Sequence, residues 1–130
     1  GVHRDLHLSI RRQRQMCIRD RNYSAEKISQ KIIEFFKKIT ERFPNTSIIN
    51  LSIKPSFERI KDIEKIEKIN SLIKTESKTN NKLIQLEIYN ELMIENKINS
   101  DLYLQDGLHL NTKGYEIIIK KLKQLLKNLD

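Results

Sequence analysis

The sequence of 130 residues is long enough for one domain of ordinary size, and 38% of its residues are hydrophobic while 32% are charged. No apolar run approaches the length of about 18 residues that a membrane-spanning helix needs, and the single cysteine excludes an internal disulfide. The net charge is +8, but the seventeen lysines and two arginines beyond residue 21 are interspersed with fifteen acidic residues. This pattern is typical of a solvated surface, not of the clustered basic face that specific nucleic-acid binding needs.

A change of composition near residue 21 divides the chain into a leader and a body. Six of the eight arginines precede this point, and every lysine follows it. No apolar stretch follows the charged residues of the leader, which excludes a secretory signal peptide. The cellular compartment is left undetermined. We interpret residues 1–21 as a foreign or disordered arginine-rich segment, with a phosphate-binding arm and a transit peptide as open alternatives. We expect residues 22–130 to form the domain. His3 and His7 lack a third metal ligand and receive no role.

The first predicted elements of the body are a helix and a strand. Ser24 is expected to cap the helix, with the acidic Glu26 in its first turn. Apolar residues then recur at helical spacing and define one buried face, namely Ile28, Ile32, Phe35, Phe36, Ile39 and Phe43. Thr46–Ile53 is predicted to be a strand that is apolar enough to be covered on both faces, and Pro55 ends it.

A second helix is predicted to begin near Asp62. From Phe57 onward an apolar residue falls at every third position, which drifts around a helix and makes no stable stripe. The Ser56–Arg59 stretch is therefore assigned to a loop. The inward face of the helix that follows is expected to consist of Ile66, Ile69 and Ile73. The polar residues 75–81 are predicted to form a loop.

A second strand is predicted at Leu83–Ile88, and residues 89–99 are expected to form a short helix and a turn. Asn111 or Thr112 is expected to cap a last helix whose sheet-facing residues are Ile118, Leu122, Leu125 and Leu129. Helices that alternate with strands are typical of an α/β domain with parallel strands joined by right-handed crossovers. Ligands of such sheets bind beyond the carboxyl ends of the strands.

The segment between the second strand and the last helix contains a candidate acid–base pair. Asp106 precedes His109 by three residues on a glycine-containing turn, so its carboxylate can curl back onto one ring nitrogen of the imidazole. The other ring nitrogen would then be free to accept a proton from a hydroxyl nucleophile. Leu108 and Leu110 flank the histidine and are expected to anchor the loop in a core.

The block Asp106-Gly-Leu-His-Leu-Asn-Thr-Lys-Gly-Tyr115 before a closing helix resembles the last characteristic block of the SGNH (GDSL-type) serine esterases. Ser52-Ile-Lys-Pro-Ser-x-x-Arg59 is similar to a segment in one branch of that family, and Asn70 falls where those relatives often carry asparagine. The resemblance covers residues 22–130. It implies a flavodoxin-like three-layer α/β/α sandwich with parallel strands. The chain would hold the C-terminal part of this sandwich, with the N-terminal strands missing.

The resemblance also implies hydrolysis of carboxylic esters, with acyl-sugar or lipid-like small molecules as substrates and with no metal or other cofactor. His109 would act as the general base, and Asp106 would orient its ring. The family's nucleophilic serine lies in a Gly-Asp-Ser block, and an oxyanion donor lies in a Gly-x-Asn-Asp block; neither block occurs in this sequence. The chain as given is therefore expected to be an inactive fragment. Ser56 and Arg59 are weaker candidates for substrate contact.

Two alternatives to the esterase hypothesis stay open. The first is a Lys-rich α/β interaction module without catalysis, in which replacing His109 leaves activity unaffected. The second, which the charge distribution favours less, is a nucleic-acid binder that uses the basic arm of residues 1–21.

Overall fold

Three long helices and two pairs of short strands make up residues 18–129, which the computed structural model describes. The helices are α1 (Ala25–Arg42), α2 (Ile63–Thr79) and α3 (Thr112–Leu129). Strand β1 (Ile48–Leu51) pairs with β2 (Leu83–Leu86), and β3 (Met93–Ile94) pairs with β4 (Lys97–Ile98). Short 3₁₀ helices lie in the connections at Phe57–Asp62, Asn90–Leu92 and Ser100–Leu102.

Helix α1 begins where the sequence predicts, because the Ser24 side chain accepts a hydrogen bond from the Lys27 N–H at 3.1 Å. Ile28 and Phe36 are buried in the larger of two hydrophobic clusters, which also contains Ile66, Ile69 and Ile73 and which we call the main core. Several other apolar residues of the predicted face pack partly against it. Phe43 does not belong to this face. It follows the last turn of the helix and is 43% exposed, so its expected burial is wrong.

Helix α2 supplies the most deeply buried residues of the main core. Ile66, Ile69 and Ile73 are at most 2% exposed, as their spacing predicts. The predicted loop at residues 75–81 is wrong, since α2 continues to Thr79. The polar side chains of this end stay on the solvated face, where Ser77 and Thr79 donate to carbonyls of the preceding turn.

Strands β1 and β2 are parallel, as expected, with Ile48 opposite Leu83 and Leu51 opposite Leu86. Ile48 and Leu83 pack with α1 and α2 in one hydrophobic cluster. Because side chains alternate along a strand, Ile49 and Leu51 point to the opposite face. All four residues of β1 are half-buried, so the expected full cover on both faces is wrong.

Residues 89–99 form a 3₁₀ turn and a hairpin, where a short helix and a turn were expected. β3 and β4 are antiparallel, and Glu95 and Asn96 join them with φ values of 49° and 64°. Leu92 and Ile98 from this segment form a second hydrophobic cluster with Leu102, Tyr103 and Leu110.

Helix α3 packs on the second cluster through Ile117 and Ile118, not on the main core. Lys121 Nζ lies 3.0 Å from Glu91 Oε1, and this ion pair also joins α3 to the segment before the hairpin. Leu129 is 52% exposed, so its expected place against the sheet is wrong. Together with three other exposed residues at helical spacing it forms what we call the α3 stripe, which consists of Tyr115, Ile119, Leu126 and Leu129.

The described end of the leader packs on the domain. Ile18 is 1% exposed and belongs to the main core, and Lys65 Nζ donates to the carbonyls of Ile18 and Asp20 at 3.0 Å each. Residues 1–17, with His3 and His7, lie outside the described residues, and the domain boundary at residue 21 stays a prediction. Within residues 18–129, no helix has the length and apolar character needed to cross a bilayer.

Candidate active site

The loop between Tyr103 and α3 brings Asp106 and His109 into direct contact. Asp106 Oδ2 lies 2.5 Å from His109 Nδ1, which is the hydrogen bond that the three-residue spacing predicts. The other carboxylate oxygen, Oδ1, accepts from the backbone N–H groups of Leu108 and His109 at 2.9 Å and 3.0 Å. One carboxylate therefore fixes both the ring and the peptide that carries it.

The electrostatics of this pair keep Asp106 ionised. The hydrogen bond to the His109 ring lowers the pKa of Asp106 most, and the N–H donors of His109 and Leu108 lower it further. An ionised carboxylate accepts hydrogen bonds only, so Nδ1 carries the proton in this contact, and Nε2 is the ring nitrogen that does not face the carboxylate. The His109 side chain is 52% exposed, and no group among residues 18–129 bonds to Nε2.

The stem of the loop is a short antiparallel bridge between Tyr103 and Leu110, and Leu104 N–H donates to the His109 carbonyl at 2.8 Å. Leu110 is 3% exposed and anchors the loop in the second cluster, whereas Leu108 is only half-buried. Gly107 turns the loop with a φ of +67°, a conformation that L side chains rarely adopt. The stem and this turn together present the histidine at the surface.

The segment that follows β1 contacts the loop between Tyr103 and α3, which we call the histidine loop. We call residues 52–58 the post-strand segment. The N–H groups of Phe57 and Glu58 donate to the Gly107 carbonyl at 2.9 Å and 3.3 Å, and Lys54 Nζ donates to the Leu108 carbonyl. The Tyr103 hydroxyl donates to the Pro55 carbonyl, and burial raises the pKa of Tyr103 and so keeps this donor protonated. The candidate site is thus built on two segments that lie about fifty residues apart in the chain.

The post-strand segment is itself held by two buried polar side chains. Asn70 on α2 accepts from the Ile53 N–H at 2.7 Å and donates to the Ile53 carbonyl at 2.9 Å. Ser52 Oγ accepts from the N–H groups of Ile88 and Tyr89 at 2.9 Å and 3.3 Å. Ser52 therefore joins the carboxyl ends of β1 and β2, as a structural residue would.

Ser56 and Arg59 lie beside the site but do not present their side chains to solvent. Ser56 is 1% exposed and Arg59 is 8% exposed. Ser56 precedes Phe57, whose N–H contacts the Gly107 carbonyl, so the backbone at this position touches the histidine loop. The burial of both side chains does not favour direct contact with a substrate, and that role stays a prediction. Sequence reasoning missed Lys54 and Tyr103 as supports, because nothing in the local pattern indicates their distant partners.

Residues 18–129 bring no three potential metal ligands of the His, Cys, Asp or Glu type together. The chemistry that the described residues can perform is proton transfer at His109. An imidazole that is oriented by a carboxylate and open to solvent suits a general base.

Solved structures of esterases share the fold of this chain. The esterase domain of the ORF1 protein from a zebrafish retrotransposon aligns with a TM-score of 0.70 and 21% identity, over 80% of this chain and 60% of that one. A GDSL-like lipase from Bacteroides thetaiotaomicron aligns at 0.63 and 23% identity, over 83% and 55% of the two chains. A carbohydrate esterase of family 3 from Talaromyces cellulolyticus aligns at 0.69 and 17% identity, over 86% and 53%. No protein-family model and no curated protein matches the sequence.

The chain therefore has an SGNH/GDSL esterase-type α/β fold with parallel strands, which confirms the predicted fold class. It spans 53–60% of the length of these three structures.

Proposed function

We propose that this chain carries the acid–base half of a serine-dependent hydrolase of carboxylic esters. The observation that carries the proposal is the 2.5 Å contact between Asp106 Oδ2 and the Nδ1 of an exposed His109. This contact occurs in a chain whose structural neighbours include a GDSL-like lipase and a carbohydrate esterase. An acid-oriented imidazole in an esterase-type fold supports a base in acyl transfer over a purely structural histidine.

In the proposed reaction His109 Nε2 removes the proton from a serine hydroxyl as the oxygen attacks the ester carbonyl. The imidazolium then returns that proton to the leaving alcohol, and a water molecule repeats the cycle to release the acid. Asp106 keeps the proton on Nδ1 and stabilises the positive ring that forms in each half-reaction. The names of the structural neighbours favour small acyl-sugar or lipid-like esters as substrates.

The serine and the oxyanion donors of this reaction are proposed to come from outside the given sequence. The 130 residues contain no Gly-Asp-Ser and no Gly-x-Asn-Asp. Ser52, the buried hydroxyl at the end of β1, already accepts two backbone hydrogen bonds and is a poor nucleophile candidate. We therefore expect this polypeptide alone to hydrolyse p-nitrophenyl acetate no faster than its His109→Ala variant.

The proposal is tested by extending the coding sequence upstream and assaying the protein that it encodes. We expect Gly-Asp-Ser and Gly-x-Asn-Asp blocks there, and hydrolysis of short acyl esters by the extended protein. Asp106→Asn should then reduce kcat by up to about 10⁴-fold, since the ring would lose its correct tautomer. The matched control is Asp101→Asn, which changes an exposed aspartate whose side chain does not contact the ring. Full activity of a folded His109→Ala protein would rule the proposal out.

A further inference from the structure

One peptide group beside the His109 side chain is held from both sides. The peptide bond between Leu108 and His109 places the Leu108 carbonyl and the His109 N–H at opposite edges of one rigid plane. Asp106 Oδ1 accepts from the N–H at 3.0 Å, and Lys54 Nζ donates to the carbonyl. Rotation of this plane would break both contacts, and one of them is made by the same carboxylate that binds the imidazole.

Lys54 is not a freely moving surface lysine. It follows Ile53, whose N–H and carbonyl are both bound to the side chain of Asn70. Its ammonium lies 5.7 Å from the centre of the Tyr103 ring, at a distance that suits a cation–π contact. The Tyr103 hydroxyl in turn binds the carbonyl of Pro55. The backbone on both sides of Lys54 is thus fixed, which reduces the conformational entropy lost when its ammonium reaches the loop.

We propose that Lys54 is a positioning residue for His109, because its ammonium holds the Leu108 carbonyl and so fixes the peptide plane from which the imidazole projects. This role in catalysis rests on the proposed esterase function. The claim that Lys54 holds the histidine loop in place does not depend on that function. A charged donor suits the task, since hydrogen bonds from ionised groups are stronger than those between neutral groups.

The chain offers a matched control at the other end of the sheet. Lys82 is half-buried like Lys54, and its Nζ also donates to a backbone carbonyl, that of Pro44, at 2.8 Å. Lys82 precedes β2 and Pro44 precedes β1, so this contact lies at the amino ends of the strands, away from the histidine loop. If the loss of any lysine–carbonyl contact disturbs the histidine loop, replacing Lys54 and replacing Lys82 should have the same effect on it. If Lys54 positions His109, only the replacement of Lys54 should disturb the loop.

The experiment measures the loop directly, by NMR of the whole 130-residue chain in the absence of substrate. Two signals report on it: the downfield proton on His109 Nδ1, assigned by its absence in His109→Ala, and hydrogen exchange at the Leu108 and His109 amides. We expect Lys54→Met to abolish the Nδ1 proton signal and to speed exchange at both amides by about tenfold or more, as loss of one charge-assisted hydrogen bond would. Lys54→Arg, which keeps a cationic donor, and Lys82→Met should retain both signals.

Three results would overturn the proposal: unchanged signals in Lys54→Met, the same loss in Lys82→Met, or no rescue by Lys54→Arg. Should Lys54→Met fail to fold by circular dichroism, the shorter and neutral Lys54→Gln replaces it with the same expected loss. Because no substrate is involved, the outcome is separate from that of the esterase proposal. A loop that depends on Lys54 in a protein whose ester hydrolysis survives His109→Ala would refute only the proposed function.

Discussion

Asn70 binds both backbone groups of Ile53, accepting from the N–H at 2.7 Å and donating to the carbonyl at 2.9 Å. One amide side chain on α2 therefore occupies the place that a neighbouring strand would otherwise take at the end of β1. This contact fixes the start of the segment that supports the histidine loop.

Replacing Asn70 with alanine should destabilise the protein strongly. Two buried backbone groups would lose their partners, so we expect the free energy of unfolding to fall by about 2–4 kcal/mol. Urea unfolding followed by circular dichroism measures this change. Asn128→Ala, at an exposed asparagine of α3, is the control and should change stability little. Equal effects at the two positions would mean that the Ile53 contacts contribute nothing.

Replacing Ser52 with alanine should loosen the carboxyl ends of β1 and β2. The hydroxyl accepts from the N–H groups of Ile88 and Tyr89, and both would be buried without an acceptor. We expect a loss of about 1–3 kcal/mol in the free energy of unfolding, measured in urea. Ser77→Ala removes only a local contact on the solvated end of α2 and serves as the control. A Ser52→Ala protein as stable as the unmodified chain would contradict this assignment.

Gly114 should not tolerate a methyl group. An added Cβ would lie 2.6 Å from the Leu102 carbonyl oxygen and 3.0 Å from Leu110 Cβ, so α3 would have to move away from the second cluster. Overpacking of this kind costs about 1–3 kcal/mol, which outweighs the gain of up to about 1 kcal/mol that alanine has over glycine inside a helix. Gly114→Ala should therefore lower the urea midpoint, while Lys113→Ala, at the exposed neighbour, should not. A raised midpoint in Gly114→Ala would show that the helix relaxes without cost.

The histidine loop should keep its structure well into acid. The hydrogen bonds to Asp106 hold its folded-state pKa below the value of about 3.8–3.9 expected when it is unfolded. The stability that this carboxylate contributes is then fully present above the unfolded value and is lost as the pH falls through the folded one. The change in the Leu108 and His109 amide chemical shifts that follows protonation of Asp106 should therefore occur only below pH 4. In Asp106→Asn these shifts should lack the acid transition, and a transition centred near 4 in the unmodified chain would contradict the prediction.

The α3 stripe should cause self-association. Its four apolar side chains are 46–52% exposed on one helix face, and contiguous apolar surface of this kind promotes contacts between molecules. We expect Ile119→Lys with Leu126→Lys to increase the monomer fraction in sedimentation velocity without loss of helix content. Lys123→Glu, which leaves the stripe unchanged, is the control. If the double variant sediments as the unmodified chain does, the stripe is not the cause of association.

Local sequence patterns predicted those parts of the fold that local forces decide. The Ser24 cap and the inward face of Ile66, Ile69 and Ile73 follow from hydrogen-bonding chemistry and from helical spacing. The contact of Asp106 with His109 was also predictable, because three residues on a tight turn bring a carboxylate within reach of an imidazole.

The remaining features depend on tertiary contacts or on weak local signals. Helix α2 runs to Thr79 and ends in a polar, solvated turn. Composition alone does not distinguish such a turn from a loop. The hairpin was missed because Glu95 and Asn96 adopt positive φ without the glycine that usually marks such a turn. The contact of Lys54 with Leu108 joins residues 54 positions apart, and no periodicity carries that information.

The pairing of β1 on a single side has a consequence for its amides. The N–H groups of Ile48 and Ser52 donate toward the β2 side, to Lys82 and Leu86, and alternation directs those of Ile49 and Leu51 to the outer edge. Among residues 18–129 no strand meets that edge. Deuterium uptake along these few residues should thus alternate between slow and fast, and slowing at Ile49 and Leu51 would register the arrival of any additional strand beside them.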